Sequence, residues 1–361
     1  MRRRSRYVMK LFNPNTRTCP IFRSRRDADL TRAIYRRVPV LVDESRKEGG
    51  NPWGVRFVRM FDQTNDAGLF QTADDLTAEK CKRERPIWKK GKKCYLPLYE
   101  AKMVQAYDHR AASVVVKADN WMRQGQTVET SLVEHQNPEF SVEPRWWVDE
   151  SAVDSVLPGQ SAGYLCYKDI TSPTNLRTMI AAFVPRVAAA NSAPLILTGP
   201  ETTPQAACCL LANLNSFAMD FVARQKVGGL HLNFFIVEQL SIFPPDFYSE
   251  KCPWARRQTL RTWISDRVLK LTCTSNDMIP LAQAAVIDPP VHKWKPDERA
   301  DLQAQLDAAY FLLYGLDRAD VEYILSTFSA SGDQGGPLVG TGTALTRILD
   351  HYDRLRESSV S

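Results

Sequence analysis

Apolar residues recur along this chain with two periods, and the chain turns where the period changes. Over residues 214–222 the spacing is helical: Leu214, Phe217, Ala218, Phe221 and Val222 return at three- and four-residue steps on one face. Arg224, Gln225 and Lys226 then put two positive charges in the last turn, and Gly228 and Gly229 supply a break that glycine tolerates. Beyond it Leu232, Phe234, Phe235, Ile236 and Val237 read as a buried strand, closed by Pro244 and Pro245. Arg224, Gln225, Lys226, His231 and Asn233 are thereby gathered at a glycine corner, a good place to hold polar groups toward a ligand. Local physics alone favours the plainer reading, a helix–turn–strand joint whose charges only cap the helix.

The same patterning divides the rest of the chain. Leu30, Ala33, Ile34 and Arg37 continue one helix for which Asp27 is an N-cap candidate, and Pro39 ends it. Residues 53–61 alternate apolar and charged positions, so they read as a half-buried strand. Residues 74–93 are crowded with lysine and arginine and read as a surface hairpin or loop, with DNA-backbone contact as the minority alternative. Pro97 limits the apolar run after Tyr95 to an edge or short strand. Beyond it Glu100, Lys102, Gln105, His109 and Arg110 lie close together in a helix or extended turn. Residues 119–163 read as a long surface excursion with one strand. Residues 164–170 and 194–197 are strands, 171–175 a turn, and 176–185 a helix or strand. Past Pro289 and Pro290, Asp297 caps a helix carrying Leu302, Leu306, Ala309, Tyr310 and Leu313 on one face. Gly315 breaks it, a second helix starts near Asp317, residues 329–343 are glycine-rich, and a short helix over 345–355 follows. The expectation is an α+β chain: short strands and helices mixed, then a small C-terminal helical region.

Composition narrows the class only slightly. The chain has 361 residues, 44% hydrophobic and 24% charged, which describes a globular protein large enough for two domains. A net charge of +6 permits a nucleic-acid partner without demanding one. Eight cysteines without a C-x-x-C pair give no zinc spacing and fit reduced cytoplasmic thiols. The basic start, residues 1–6, is followed by no apolar run of signal-peptide or membrane-spanning length.

Several stretches share a resemblance. R-Q-K-V-G-G-L-H-L-N-F-F (224–235), L-P-L-Y-E-A-K-M (96–103) with Asp108-His109-Arg110, the Lys-Asp-Ile strand before Arg177-Thr178-Met179-Ile180, and the 306–328 stretch resemble segments of large adenine-specific DNA methyltransferases and type IIG-like restriction-modification proteins. Ala101 stands where that family usually has glycine. The resembling segments run from Asn13 to Leu355, with variable stretches between. The resemblance implies a connecting segment over 1–45 that in the family follows the methyltransferase domain. It implies a DNA target-recognition domain over 46–250 and a linker with a C-terminal helical region over 251–361. It also implies double-stranded DNA as partner. The candidate contact residues are Arg224, Gln225, Lys226, His231 and Asn233, then Lys102, Gln105, His109 and Arg110.

The family's catalytic motifs are not matched. Asp288-Pro289-Pro290 is followed by Val291, not by the aromatic ring that stacks on a flipped adenine. Val339-Gly340-Thr341-Gly342 imitates a cofactor loop, but the 19 residues after it are too few for the rest of a cofactor-binding unit. No cofactor is therefore expected in this chain; S-adenosylmethionine belongs to the missing methyltransferase domain. The expectation is a detached or truncated recognition portion of an adenine-N6 methyltransferase or restriction-modification system, in the cytoplasm, with a separate methyltransferase or restriction subunit as a further partner. The alternatives are a non-catalytic structural subunit, or a magnesium-dependent nuclease using Asp75, Glu100 and Lys102.

Overall fold

The structure, a computed structural model, describes residues 9–18, 20–115, 125–157, 162–172, 175–328 and 342–360. Residues 1–6, two residues of the 171–175 turn and most of the glycine-rich stretch fall outside them. The fold is α+β, as the patterning predicts.

Helix α1 (Arg25–Arg37) is followed by β1 (Arg56–Val58), α2 (Ala73–Ala78), β2 (Lys82–Glu84), β3 (Ile87–Lys90), β4 (Lys93–Tyr99), β5 (Ala112–Val114), β6 (Thr127–Glu129) and α3 (Leu132–Gln136). Next come β7 (Trp147–Asp149), α4 (Glu150–Val156), β8 (Tyr164–Tyr167), β9 (Ala181–Val184), β10 (Ala188–Ala189) and β11 (Leu195–Leu197). Helices complete the order: α5 (Pro204–Asn215), α6 (Phe217–Arg224), α7 (Phe234–Val237), α8 (Leu260–Thr272), α9 (Ile279–Ala284), α10 (Pro296–Leu313), α11 (Arg318–Ser326) and α12 (Gly342–Val360).

One sheet has the order β1-β11-β8-β9, antiparallel throughout, with Leu165 opposite Phe183 and Ile196 opposite Leu165. Both faces are buried at β8, β9 and β11, which explains their unbroken apolar runs, whereas β1 at the edge exposes Arg56. Leu165, Tyr167, Phe183 and Ile196 face a large core shared with the helices. Tyr164, Cys166, Ala182 and Val184 face a smaller core against Leu96, Leu98 and Val148 of the second sheet. The large core draws residues from all three expected segments, from Phe12 through α5 and α6 to Tyr352. No single helix among the described residues is long and apolar enough to cross a membrane; the apolar α5–α6 pair, bent by 54°, is buried inside this core.

Several local expectations change. Ser24, not Asp27, is the N-cap of α1; Asp27 accepts from the Ser24 N–H at 3.1 Å as the returning half of a capping box. Strand β4 is interior: it pairs with β3, β7 and β10. Pro97 is accommodated because its missing N–H faces the side where β3 has ended at Tyr95 and β10 begins only at Leu98. Residues 234–237 form one helical turn instead of a strand. Asp297 sits in the first turn of α10, behind a Lys295 N-cap without a side-chain bond. Helix α12 outruns the expected 345–355 at both ends.

Candidate nucleic-acid interface

Helix α6 is buried from Phe217 to Ala223, so the polar groups at its end meet protein on most sides. Arg224 donates to the carbonyls of Thr327 at 3.0 Å, Leu176 at 2.5 Å and Asn175, and its guanidinium lies 3.9 Å over the Phe328 ring. Burial lowers its pKa to about 10. Gln225 is buried; it accepts from the Thr31 hydroxyl at 3.0 Å and donates to the Phe221 carbonyl at 3.1 Å. The Lys226 amine donates to the Phe12 carbonyl at 2.5 Å and to Asn13 Oδ1, and burial pushes its pKa well below the usual value. These three side chains, expected to project outward, turn inward. Adjoining segments leave backbone carbonyls that need donors, and cationic donors satisfy them strongly. Neither Gly228 nor Gly229 has a left-handed backbone, and a Cβ on either would meet open space, so the turn does not depend on glycine geometry.

The second candidate group divides in the same way. Arg110 is fully buried and donates to the carbonyls of Asn137, Phe140, His135 and Thr274 at 3.0, 2.9, 3.0 and 3.1 Å. Buried His109 has its Nε2 3.1 Å from Asp277 Oδ2. Burial opposes the charge of Asp277, yet His109, Ser275 and Arg110 hold its carboxyl below the usual range. Asp108 is held low against the same penalty by His135 and Arg299. The Asp108-His109-Arg110 signature therefore clamps α3 and the 137–140 loop to the segment after α8. Gln105 is exposed, and Lys102 is half-buried, donating to the Gly125 carbonyl at 2.6 Å and lying 2.9 Å from Glu100 Oε2.

What faces outward is a smaller set. The loop after Gly229 pairs with the end of β8: Leu232 N donates to the Asp169 carbonyl at 2.7 Å, and Thr171 N to the Leu230 carbonyl at 3.0 Å. This sets exposed His231 beside buried Asp169, Nδ1 to Oδ2 3.0 Å. Arg59, leaving β1, completes the group. Its guanidinium is 3.7 Å from Asp169 Oδ2, donates to Asn233 Oδ1 at 3.3 Å and stacks 4.6 Å over the Phe234 ring. Phe234 in turn stacks on Phe57 at 5.1 Å.

Ser192 joins the two signatures. Its carbonyl accepts from Asp169 N at 3.0 Å and its hydroxyl from Ala101 N at 3.3 Å. Beyond Ala101, the Glu100 carboxylate, also buried, accepts from Gln63 Nε2 at 3.0 Å and holds Lys102. His231, Arg59, Gln63 and Lys102 are thus anchored on two buried carboxylates, Asp169 and Glu100, and Asn233 joins this polar stretch through Arg59. Arg59, Asp169, Gln63 and Ser192 were not among the sequence candidates. The alternation over residues 53–61, which puts Arg59 on the polar face, was the available signal for the first. Beside this stretch a cavity of about 360 Å³ is lined by Lys226, Leu230, Phe235 and Gln239; its Lys226 and Gln239 head groups are already hydrogen-bonded within the protein.

Asp75 is committed to α2, accepting from the Thr72 hydroxyl at 2.6 Å, and Glu100 is occupied as described. Among the described residues no group of three or more His, Cys, Asp or Glu side chains is arranged to hold a metal ion. No protein-family model matches the chain, and no curated protein matches it.

Proposed function

We propose that this chain reads DNA for a site-specific adenine-N6 methyltransferase or restriction-modification system in the cytoplasm. Methyl transfer from S-adenosylmethionine is assigned to a methyltransferase domain or subunit outside these residues. The observation that carries the reading is the outward stretch of His231, Asn233, Arg59 and Lys102, fixed from behind by Asp169 and Glu100. Direct readout needs donors and acceptors held in place before DNA arrives, because base edges discriminate by hydrogen-bond position. Asn233 supplies an amide and Arg59 a guanidinium, the side-chain types that pair with adenine and guanine edges, while Lys102 and His231 suit phosphate or base contact.

A second reading has its own support. Ile21, Ile170, Leu230 and Phe235 are exposed apolar side chains clustered about the same corner, which favours a protein contact, for instance with a catalytic subunit. Selection from a randomised duplex pool separates the two. The recognition reading expects enrichment of a defined sequence by the purified chain, and relaxed preference at one position in Asn233→Ala. A pool that emerges unenriched from the folded wild-type chain contradicts it.

A further inference from the structure

Two stretches of this protein are strongly basic, residues 1–37 and the shorter run over residues 79–94. Residues 79–94 hold eight basic and two acidic side chains, net +6, which equals the net charge of the whole 361-residue chain. The segment is a three-stranded ribbon at the end of the second sheet. Strands β2 and β3 pair with Lys82 opposite Lys89, and β3 and β4 with Lys90 opposite Lys93. Gly91, at φ +59°, and Lys92 make the two-residue turn, where the left-handed backbone suits glycine. The base of the ribbon is fixed by a small core of Leu76, Cys81, Trp88, Tyr95 and Trp147, with the Arg83 guanidinium over both tryptophan rings.

Like charges directly opposite across a ladder destabilise a sheet. Here two lysine pairs do so, and the acids nearby offset them only partly. Glu84 lies 2.8 Å from Lys89 and 3.7 Å from Lys82, and Glu79 lies 3.8 Å from Lys90. Lys80, Arg85, Lys92 and Lys93 are exposed, with no acidic partner within ion-pair distance among the described residues. Cross-strand neighbours share a face, so the tip is basic on both: Lys82 and Lys89 on one, Lys90 and Lys93 on the other. A polyanion removes this repulsion.

We infer that this ribbon is a second DNA contact, in which Lys92 and Lys93, flanked by Lys89 and Lys90, grip the phosphate backbone of duplex DNA. The inference rests on the DNA reading and adds a place to it. Strand β4 runs from the tip at Lys93 to Tyr99, directly before Glu100 and Lys102. At about 3.3 Å per residue that is a reach of about 20 Å. With β4 laid along the duplex, at about 3.4 Å per base step, the ribbon contacts phosphates about six base pairs from the bases facing Lys102.

The test uses the full chain and a 5′-labelled duplex of about 30 base pairs, titrated by anisotropy from low to high salt. A Lys92→Ala/Lys93→Ala variant is expected to melt like wild type, to bind the duplex about tenfold or more weakly, and to lose about two units of salt slope, each lost phosphate contact removing about 0.9. Lys92→Arg/Lys93→Arg is expected to keep the slope, and ethylation interference to map the lost contacts about six base pairs from those lost in Lys102→Ala. Wild-type binding with an unchanged slope in the alanine pair overturns the ribbon contact and leaves the DNA reading standing. Failure of wild type to bind any duplex overturns both. A slope change seen on an RNA duplex or anionic vesicles, with none on DNA, overturns DNA as the occupant.

Discussion

Replacing Arg110 with alanine separates a structural arginine from a base-reading one. The side chain is fully buried and its two terminal nitrogens serve four carbonyls from three segments, at 2.9–3.1 Å. Hydrogen bonds to a charged group contribute roughly 1.5–3 kcal/mol each, against several kcal/mol for desolvating the guanidinium. Alanine forfeits all four, leaves buried carbonyls unpaired and withdraws a positive charge from Asp108 and Asp277. The expected net loss is on the order of 3–5 kcal/mol. Lysine reaches fewer of the carbonyls and is expected to recover only part of it. Urea unfolding followed by tryptophan fluorescence, on wild type, Arg110→Ala and Arg110→Lys, reads this as a graded fall in midpoint. An Arg110→Ala protein with the wild-type midpoint and sharply weaker DNA binding refutes the clamp and restores Arg110 as a reader.

Arg224→Ala loses three carbonyl contacts and the Phe328 stacking, so its melting temperature is expected to fall while the salt slope of DNA binding stays unchanged. Gly229→Val is expected to fold and melt within about 1 kcal/mol of wild type, because that residue has no left-handed backbone and open space around its Cβ; a misfolded product contradicts the geometry of the turn. Burial raises the Asp307 carboxyl from 3.8 to about 7, against Arg177 and the Phe217 N–H. The neutral acid's stabilising contribution is therefore full below about pH 4 and is lost as pH climbs through about 7. Asp307→Asn should gain on wild type across that window, by on the order of 2–4 kcal/mol at pH 8, and parallel stability curves from pH 4 to 8 rule this out.

Much of the framework was legible in the sequence because it follows from periodicity and local punctuation. The strands expected over 164–170 and 194–197 form over 164–167 and 195–197, and a helix starts at Asp317 as read; Leu214, Phe217 and Phe221 are buried as read, but Ser216 divides their helix into α5 and α6, bent by 54°. Residues 234–237 were misread because four consecutive apolar side chains carry no period that tells a turn of helix from a strand. Pro97 was placed at an edge because one residue cannot reveal that the partner strands leave a gap at its position. The site was less legible than the fold. Whether Arg224, Lys226 or Arg110 points out or in depends on carbonyls of Thr327, Phe12 and Thr274, each more than one hundred residues away in the chain. Conversely Arg59 carries no motif of its own and the Lys-Asp-Ile stretch gives Asp169 no role, and their pairing with His231 exists only once β1, β8 and the glycine corner meet.

The central claim is that the His231–Lys102 stretch meets duplex DNA. Its most direct test is a salt titration of duplex binding by wild type, Arg59→Ala and His231→Ala, each checked for an unchanged melting temperature. The account predicts that log affinity falls linearly with log salt for wild type, and that each variant binds more weakly, with a slope shallower by about one where a phosphate contact is lost. Folded wild type that leaves the duplex free at about 50 mM salt, or variants that bind like wild type throughout, contradict it.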